Sequence, residues 1–171
     1  MFLYRFVLLA TLLMAANASY AQQDSLAAPL AGPVILTITG LDPARFPDGR
    51  QEFDMVGLQS LGERQITTSS MWTRGANLYT GVMLHSLIDH LKLEDGSVKL
   101  TALNDYAIVM PVIEATSEAP MLAYMVNGAP MTVRDKGPIW VIYPFDSDKK
   151  FRNDQIYARS VWQLNRIEVL P

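Results

Sequence analysis

The sequence predicts an α+β domain, mostly β with one or two helices, built as a β-sandwich or a partly closed sheet. Three observations carry that prediction. Short β-branched or alternating runs recur along the chain, while only one segment repeats its apolar residues at helical spacing. Strands and helices do not alternate regularly, which argues against a doubly wound parallel sheet.

Val34-Ile35-Leu36-Thr37-Ile38-Thr39 is rich in β-branched residues and stops at Gly40, a strand ending in a turn. Asp42-Pro43 and Pro47-Asp48-Gly49 follow as turns, because proline fixes φ at one corner and glycine accepts positive φ at another. Residues 52–58 alternate as a short strand, and a loop follows at Gly62. Residues 65–71 alternate again and meet Trp72.

Residues 82–92 read as the one clear helix: Val82, Leu84, Leu87, Ile88 and Leu91 form a stripe, and Asp89, His90 and Lys92 take the wet side. Asp95-Gly96 closes that region. Residues 98–102 are a strand, Asn104-Asp105 a tight turn, and residues 106–110 the hairpin partner. Residues 111–118 read equally as a short helix or a loop. Residues 121–126 alternate into Asn127-Gly128, a strong turn signal. Residues 139–143 form a near-continuous apolar run between Pro138 and Pro144, the mark of a buried strand. Residues 145–153 are charged and irregular, and Ile167-Glu168-Val169 is the last strand.

The N-terminus has the parts of an export signal. Arg5 is a short positive region, residues 6–16 are apolar and uncharged, and small residues surround Ala18 and Ala21. The expected cut is after Ala21, with Ala18 as second choice, which gives a signal at 1–21, a leader at 22–32 and a single domain at 33–171. The apolar run is about half of the ~20 residues a membrane span needs. The expectation is therefore a periplasmic or secreted protein that does not span the membrane once the signal is cut.

Composition excludes several function classes. With Arg5 removed, 13 of the 14 basic residues face 17 acidic ones, a formal charge of −4. Nucleic-acid binding needs a basic stripe to neutralise phosphates, so it is not expected. The chain has no cysteine, which removes disulfides, thiolate zinc sites, iron–sulfur clusters and thiol nucleophiles. His85 and His90 are five residues apart, which turns them away from each other on a helix. They read as partly exposed helix histidines, and no metal site is expected. Asp146, Asp148 and Asp154 offer oxygen donors for a hard cation, but Lys149, Lys150 and Arg152 compete for them, so the loop reads as solvated. No Gly-x-Ser-x-Gly elbow, dinucleotide loop or phosphate loop is present, and no catalytic residue is assigned.

Aromatic residues beside arginines remain. Trp72, Arg74, Tyr106, Tyr143, Arg152, Arg159 and Trp162 are the pocket candidates, since rings stack on flat ligands and guanidinium groups fork onto oxyanions. The alternative is that the aromatic residues merely pack in the core.

The order of segments resembles a known family. The pattern Tyr79-Thr80-Gly81-Val82-Met83-Leu84 leads the helix, and Asn104-Asp105-Tyr106 follows the next strand. Then come Tyr124-Met125-Val126-Asn127-Gly128, Lys136-Gly137-Pro138-Ile139-Trp140 and Arg159-Ser160-Val161-Trp162. Together these resemble the molybdopterin-binding domain of the sulfite oxidase family of oxidoreductases, over about residues 34–169. The resemblance implies that family's α+β fold, which in active members cradles a molybdenum–pterin cofactor held by one cysteine thiolate before the Gly-Val-x-Leu helix. Here that neighbourhood reads Thr67-Thr68-Ser69-Ser70-Met71-Trp72-Thr73, without a thiol. In the family's C-terminal Lys-Ser-x-Lys-Trp-Leu motif, Arg159 keeps one basic position while Trp162 and Gln163 replace the next Lys and Trp.

Three functions are open on these grounds. The first is a non-catalytic member whose pocket serves an unknown small ligand or a periplasmic or membrane partner protein. The second is an oxidoreductase subunit that binds molybdopterin without the thiolate. The third is a structural or sensory accessory with no small ligand.

Overall fold

Strand β1 (Leu36–Thr39) buries Leu36 and Ile38 completely and sends Thr37 and Thr39 the other way, the two-residue period of a strand. These assignments come from a computed structural model that describes residues 30–171. β1 pairs antiparallel with β2 (Arg50–Phe53) and parallel with β10 (Leu164–Leu170), with Ile38 opposite Ile167. β10 pairs antiparallel with β5 (Ser97–Ala102), and β5 with β6 (Ala107–Pro111). The sheet order is β2-β1-β10-β5-β6, so the C-terminal strand lies at its centre.

The second sheet runs β3 (Glu63–Ser69), β4 (Ala76–Met83), β7 (Met121–Val126). Beyond β7, the two-residue β8 (Ala129–Pro130) and β9 (Trp140–Ile142) pair with different parts of it. Alternation along β7 splits its side chains between two apolar clusters. Leu122 and Tyr124 join Leu36, Ile38, Leu100 and Ile167 in the core shared by both sheets. Met121 and Ala123 face the other way, with Tyr79, Met83 and Trp140.

Gly81 sits where β4 and β7 shift register, and there its lack of a side chain is decisive. A Cβ would meet the Leu122 carbonyl oxygen at 2.2 Å and the Ala123 Cα at 2.6 Å. The glycine of the Gly-Val-x-Leu pattern is therefore a packing requirement.

Three α-helices occur among the described residues. α1 (Met55–Gln59) starts at Asp54, whose carboxylate accepts from the Gly57 N–H at 2.7 Å. α2 (Leu84–Leu91) buries Leu84, Leu87, Ile88 and Leu91 and ends at left-handed Lys92. α3 (Asp154–Arg159) is capped by the Asn153 side chain, which accepts from the Ile156 N–H at 3.0 Å. None is long and apolar enough to cross a membrane.

The strand expected over residues 52–58 is corrected: β2 stops at Phe53, and the Asp54 cap starts α1 instead. The helix expected to begin at Val82 begins at Leu84, because Val82 and Met83 belong to β4 and pair with Leu122 and Met121. Residues 111–118 hold a 3-10 turn at Val112–Glu114. The expected signal at 1–21 and the leader as far as residue 29 lie outside the described residues.

Candidate functional site

Trp72 organises an aromatic cleft. It lies in the loop between β3 and β4, half-buried, and four rings meet it edge-on: Trp140, Tyr157 and Trp162 at 5.9 Å and Phe145 at 6.2 Å between centroids. Edge-to-face pairs of this kind each add about 0.5–1.5 kcal/mol beyond area burial. Trp140 is in turn fixed by its indole N–H, which donates to the Ser160 carbonyl at 3.1 Å.

The opposite wall comes from the β5–β6 hairpin. Asp105 adopts a left-handed φ of 63°, and the Tyr106 N–H donates to the Asn104 side-chain oxygen at 3.1 Å. That turn brings Tyr106 over α3, where its hydroxyl donates to the Ala158 carbonyl at 2.9 Å. The result is a cleft of about 270 Å³ between the two sheets' loops, with Trp72, Tyr106, Tyr157 and Trp162 as its rings and Ala102, Asn104 and Val161 between them. None of its lining residues is acidic or basic.

Of the seven pocket candidates, the structure brings Trp72, Tyr106 and Trp162 together in this cleft. The arginines are elsewhere. Arg74 is exposed in the β3–β4 loop. Arg152 donates to an Asp146 carboxylate oxygen at 2.8 Å and to the Phe145 carbonyl at 2.5 Å. Arg159 is only 4% exposed and pairs with Glu114. Tyr143 is buried beneath a second groove. Sequence reasoning used Asn104 as a turn residue, and Asn104 and Ser160 in the family motifs, but placed neither in a pocket. Tyr157 and Trp162 flanking the small residues Ala158 and Ser160 are the signal that could have marked that wall.

Four of the five hydroxyls in the segment 67–73 are hydrogen-bonded, and that of the exposed Thr67 is the exception. The Thr68 hydroxyl accepts from the Asp146 N–H at 3.2 Å and donates to the Ser69 carbonyl at 3.1 Å. Asp146 receives the Ser69 N–H at 2.5 Å and the Ser69 hydroxyl at 2.7 Å. The Ser70 and Thr73 hydroxyls bond each other at 2.7 Å. The Ser69 N–H, and after it the Ser69 hydroxyl, hold the Asp146 carboxyl below its ordinary range against an opposing desolvation, with Arg152 adding to the effect.

The histidines stand apart from this cleft. His85 faces Asp89 at 3.2 Å along α2, and His90 lies 3.1 Å from the Gln51 amide nitrogen. Burial, followed by Arg45 and Lys92, lowers the His90 pKa. Among the described residues no group of three or more His, Asp or Glu side chains is placed to hold a metal ion.

The chain belongs to the oxidoreductase molybdopterin binding domain family, whose model matches residues 33–170. Among solved structures, the sulfane dehydrogenase SoxCD from Paracoccus pantotrophus is similar at a TM-score of 0.55 and 16% identity, over 79% of this chain. This chain spans 37% of that one. No curated protein matches.

The residues present do not fit a thiolate-held molybdenum. Where the family places the thiolate, this chain supplies hydroxyls bonded to Asp146 or to each other, the exposed hydroxyl of Thr67, and the thioether of Met71, which is 67% exposed. Hard hydroxyl oxygen is a poor substitute for soft thiolate. Nor does the cleft offer a cation to a pterin phosphate, since Arg159 is committed to Glu114.

Proposed function

We propose that this chain is an exported, non-catalytic member of its family that binds a flat, largely apolar ligand in the aromatic cleft. The observation that carries the reading is the cleft itself: four rings around about 270 Å³ with no charged lining residue. Such a surface rewards stacking and apolar burial, and it gives an anionic ligand nothing to pair with. The bonded hydroxyls of residues 68–73 support the same reading, because they are engaged within the protein and none is a soft thiolate donor for a redox metal. The N-terminal signal pattern supports action in the periplasm or outside the cell, with Gln22 as the mature N-terminus.

The test is mass spectrometry of small molecules extracted from protein purified from its native compartment, followed by titration of the recovered compound against Trp162→Ala. A planar compound whose affinity falls about tenfold or more in the variant supports the reading, loss of one stacked ring being worth ~1–3 kcal/mol. Recovery of a pterin would favour the second reading, a subunit that holds the family cofactor without a thiolate.

A further inference from the structure

A second groove, of about 580 Å³, lies where the Val112–Glu114 turn faces the segment leading into α3. Glu114, Glu118, Tyr143, Lys150, Phe151 and Ile156 contribute to its walls. Arg159 does not line the groove but is tied to its wall through Glu114. Arg159 is 4% exposed, and both its terminal nitrogens donate to Glu114, one of them at 3.3 Å. The Tyr143 hydroxyl is buried and has no hydrogen-bond partner. A buried polar group without a partner costs roughly 1–3 kcal/mol, so it marks a place where one is missing.

We propose that this groove is a binding site for small free carboxylates, in which the ligand replaces Glu114 on Arg159 and takes the Tyr143 hydroxyl as a second donor. Tyr143 is a phenol held firmly protonated by burial, and the Arg159 and Glu114 charges both bear on it from nearby. A protonated hydroxyl lacking an acceptor in the groove wall, and a buried guanidinium held by Glu114 of the same wall, are two oxyanion donors. Glu114 is suited to leave, because its side chain is 42% exposed and it ends a three-residue turn. Arg159 is not suited to stay alone, since an unpaired buried charge is strongly unfavourable. The exchange is therefore one carboxylate for another, and a neutral ligand is excluded. Phe151 and Ile156 in the wall favour a short apolar tail over a second charge. Lys150 at the rim is already paired with Glu118 at 3.1 Å.

Chemical rescue tests this directly. Glu114→Ala is expected to lower the melting temperature, and acetate or propionate is expected to restore it where chloride at equal ionic strength does not. In Glu114→Ala/Tyr143→Phe the acetate concentration for half-maximal rescue should rise about tenfold, the loss of one charge-assisted hydrogen bond. Should Glu114→Ala not fold unaided, folding on addition of acetate but not chloride is the same positive result. Equal effects of acetate and chloride overturn the proposal. So does a rescue that is indifferent to Tyr143.

Discussion

Asp146 grips Ser69 across 77 residues of chain, taking both its N–H and its hydroxyl on the two oxygens of one carboxylate. The grip joins the end of β3 to the loop after β9 and so fixes the loop that carries Trp72. The Ser69 N–H, the Ser69 hydroxyl and Arg152 depress the Asp146 pKa in the folded state. A depressed carboxyl stabilises the fold above its unfolded pKa of about 3.9, and that stabilisation is lost as pH falls through the lower folded value. Asp146→Ala should therefore shrink the acid-induced part of the unfolding curve below about pH 4. Its tryptophan emission at neutral pH should also shift to the red. Fluorescence-monitored acid titration of both proteins checks this.

Asp54 acts in the same direction through different bonds. Its carboxylate accepts from the N–H groups of Gly57 at 2.7 Å, Ala31 at 2.6 Å and Gly32 at 2.8 Å, and the Gly57 bond is the largest cause of its lowered pKa. Asp54→Asn should lower the melting temperature at pH 7 and matter progressively less as pH falls from about 4 through the lower folded value, where the parent carboxyl itself becomes protonated. Thermal melts at a series of pH values read this out. A difference that grows toward acid pH would contradict the assignment.

The two tryptophans of the cleft should separate stability from binding. Trp72 meets four other rings, so Trp72→Ala should cost about 3–5 kcal/mol, the range for deleting a large packed aromatic. Trp162 is 38% exposed and reaches the core through Trp72 alone among the ring pairs, so Trp162→Ala should cost under about 1.5 kcal/mol. Denaturant unfolding measures both. Equal costs would mean that Trp162 is a core residue and the cleft is closed.

Gly81→Ala should destabilise by at least about 2 kcal/mol, because its new methyl would meet backbone atoms of Leu122 and Ala123 that have no room to shift. Gly128→Ala meets nothing within 4 Å, but its φ of 81° adds its own strain. Gly57→Ala, at an ordinary φ and facing only the Asp54 carboxylate oxygen and the Phe53 ring, is the milder comparison. Parallel melts of Gly81→Ala and Gly57→Ala test the ranking.

Most strands could be read from sequence because one face of each is buried and alternation survives, as in Leu36 and Ile38 of β1 or Leu122 and Tyr124 of β7. β4 escaped because Val82 and Leu84 fit a helical stripe as well as the strand–helix junction that actually divides them. α1 escaped because Phe53, Met55 and Gly57 mimic alternation, and only the Asp54 cap reveals the helix start. In the cleft, the aromatic residues were visible as residue types, and their convergence was not. It depends on the turn at Asn104-Asp105 and on α3, a six-residue helix too short for a periodic signal. The arginines misled for a plain reason. A guanidinium that forks onto a ligand oxyanion forks equally onto Asp146 or Glu114, and composition does not distinguish them.

The central claim is that this member of a molybdopterin-binding family has a cleft built for stacking and not for holding molybdenum. Metal and pterin analysis of the protein isolated from cells with an intact molybdenum supply tests it most directly. The account predicts molybdenum far below one atom per chain; near-stoichiometric molybdenum that survives gel filtration would contradict it.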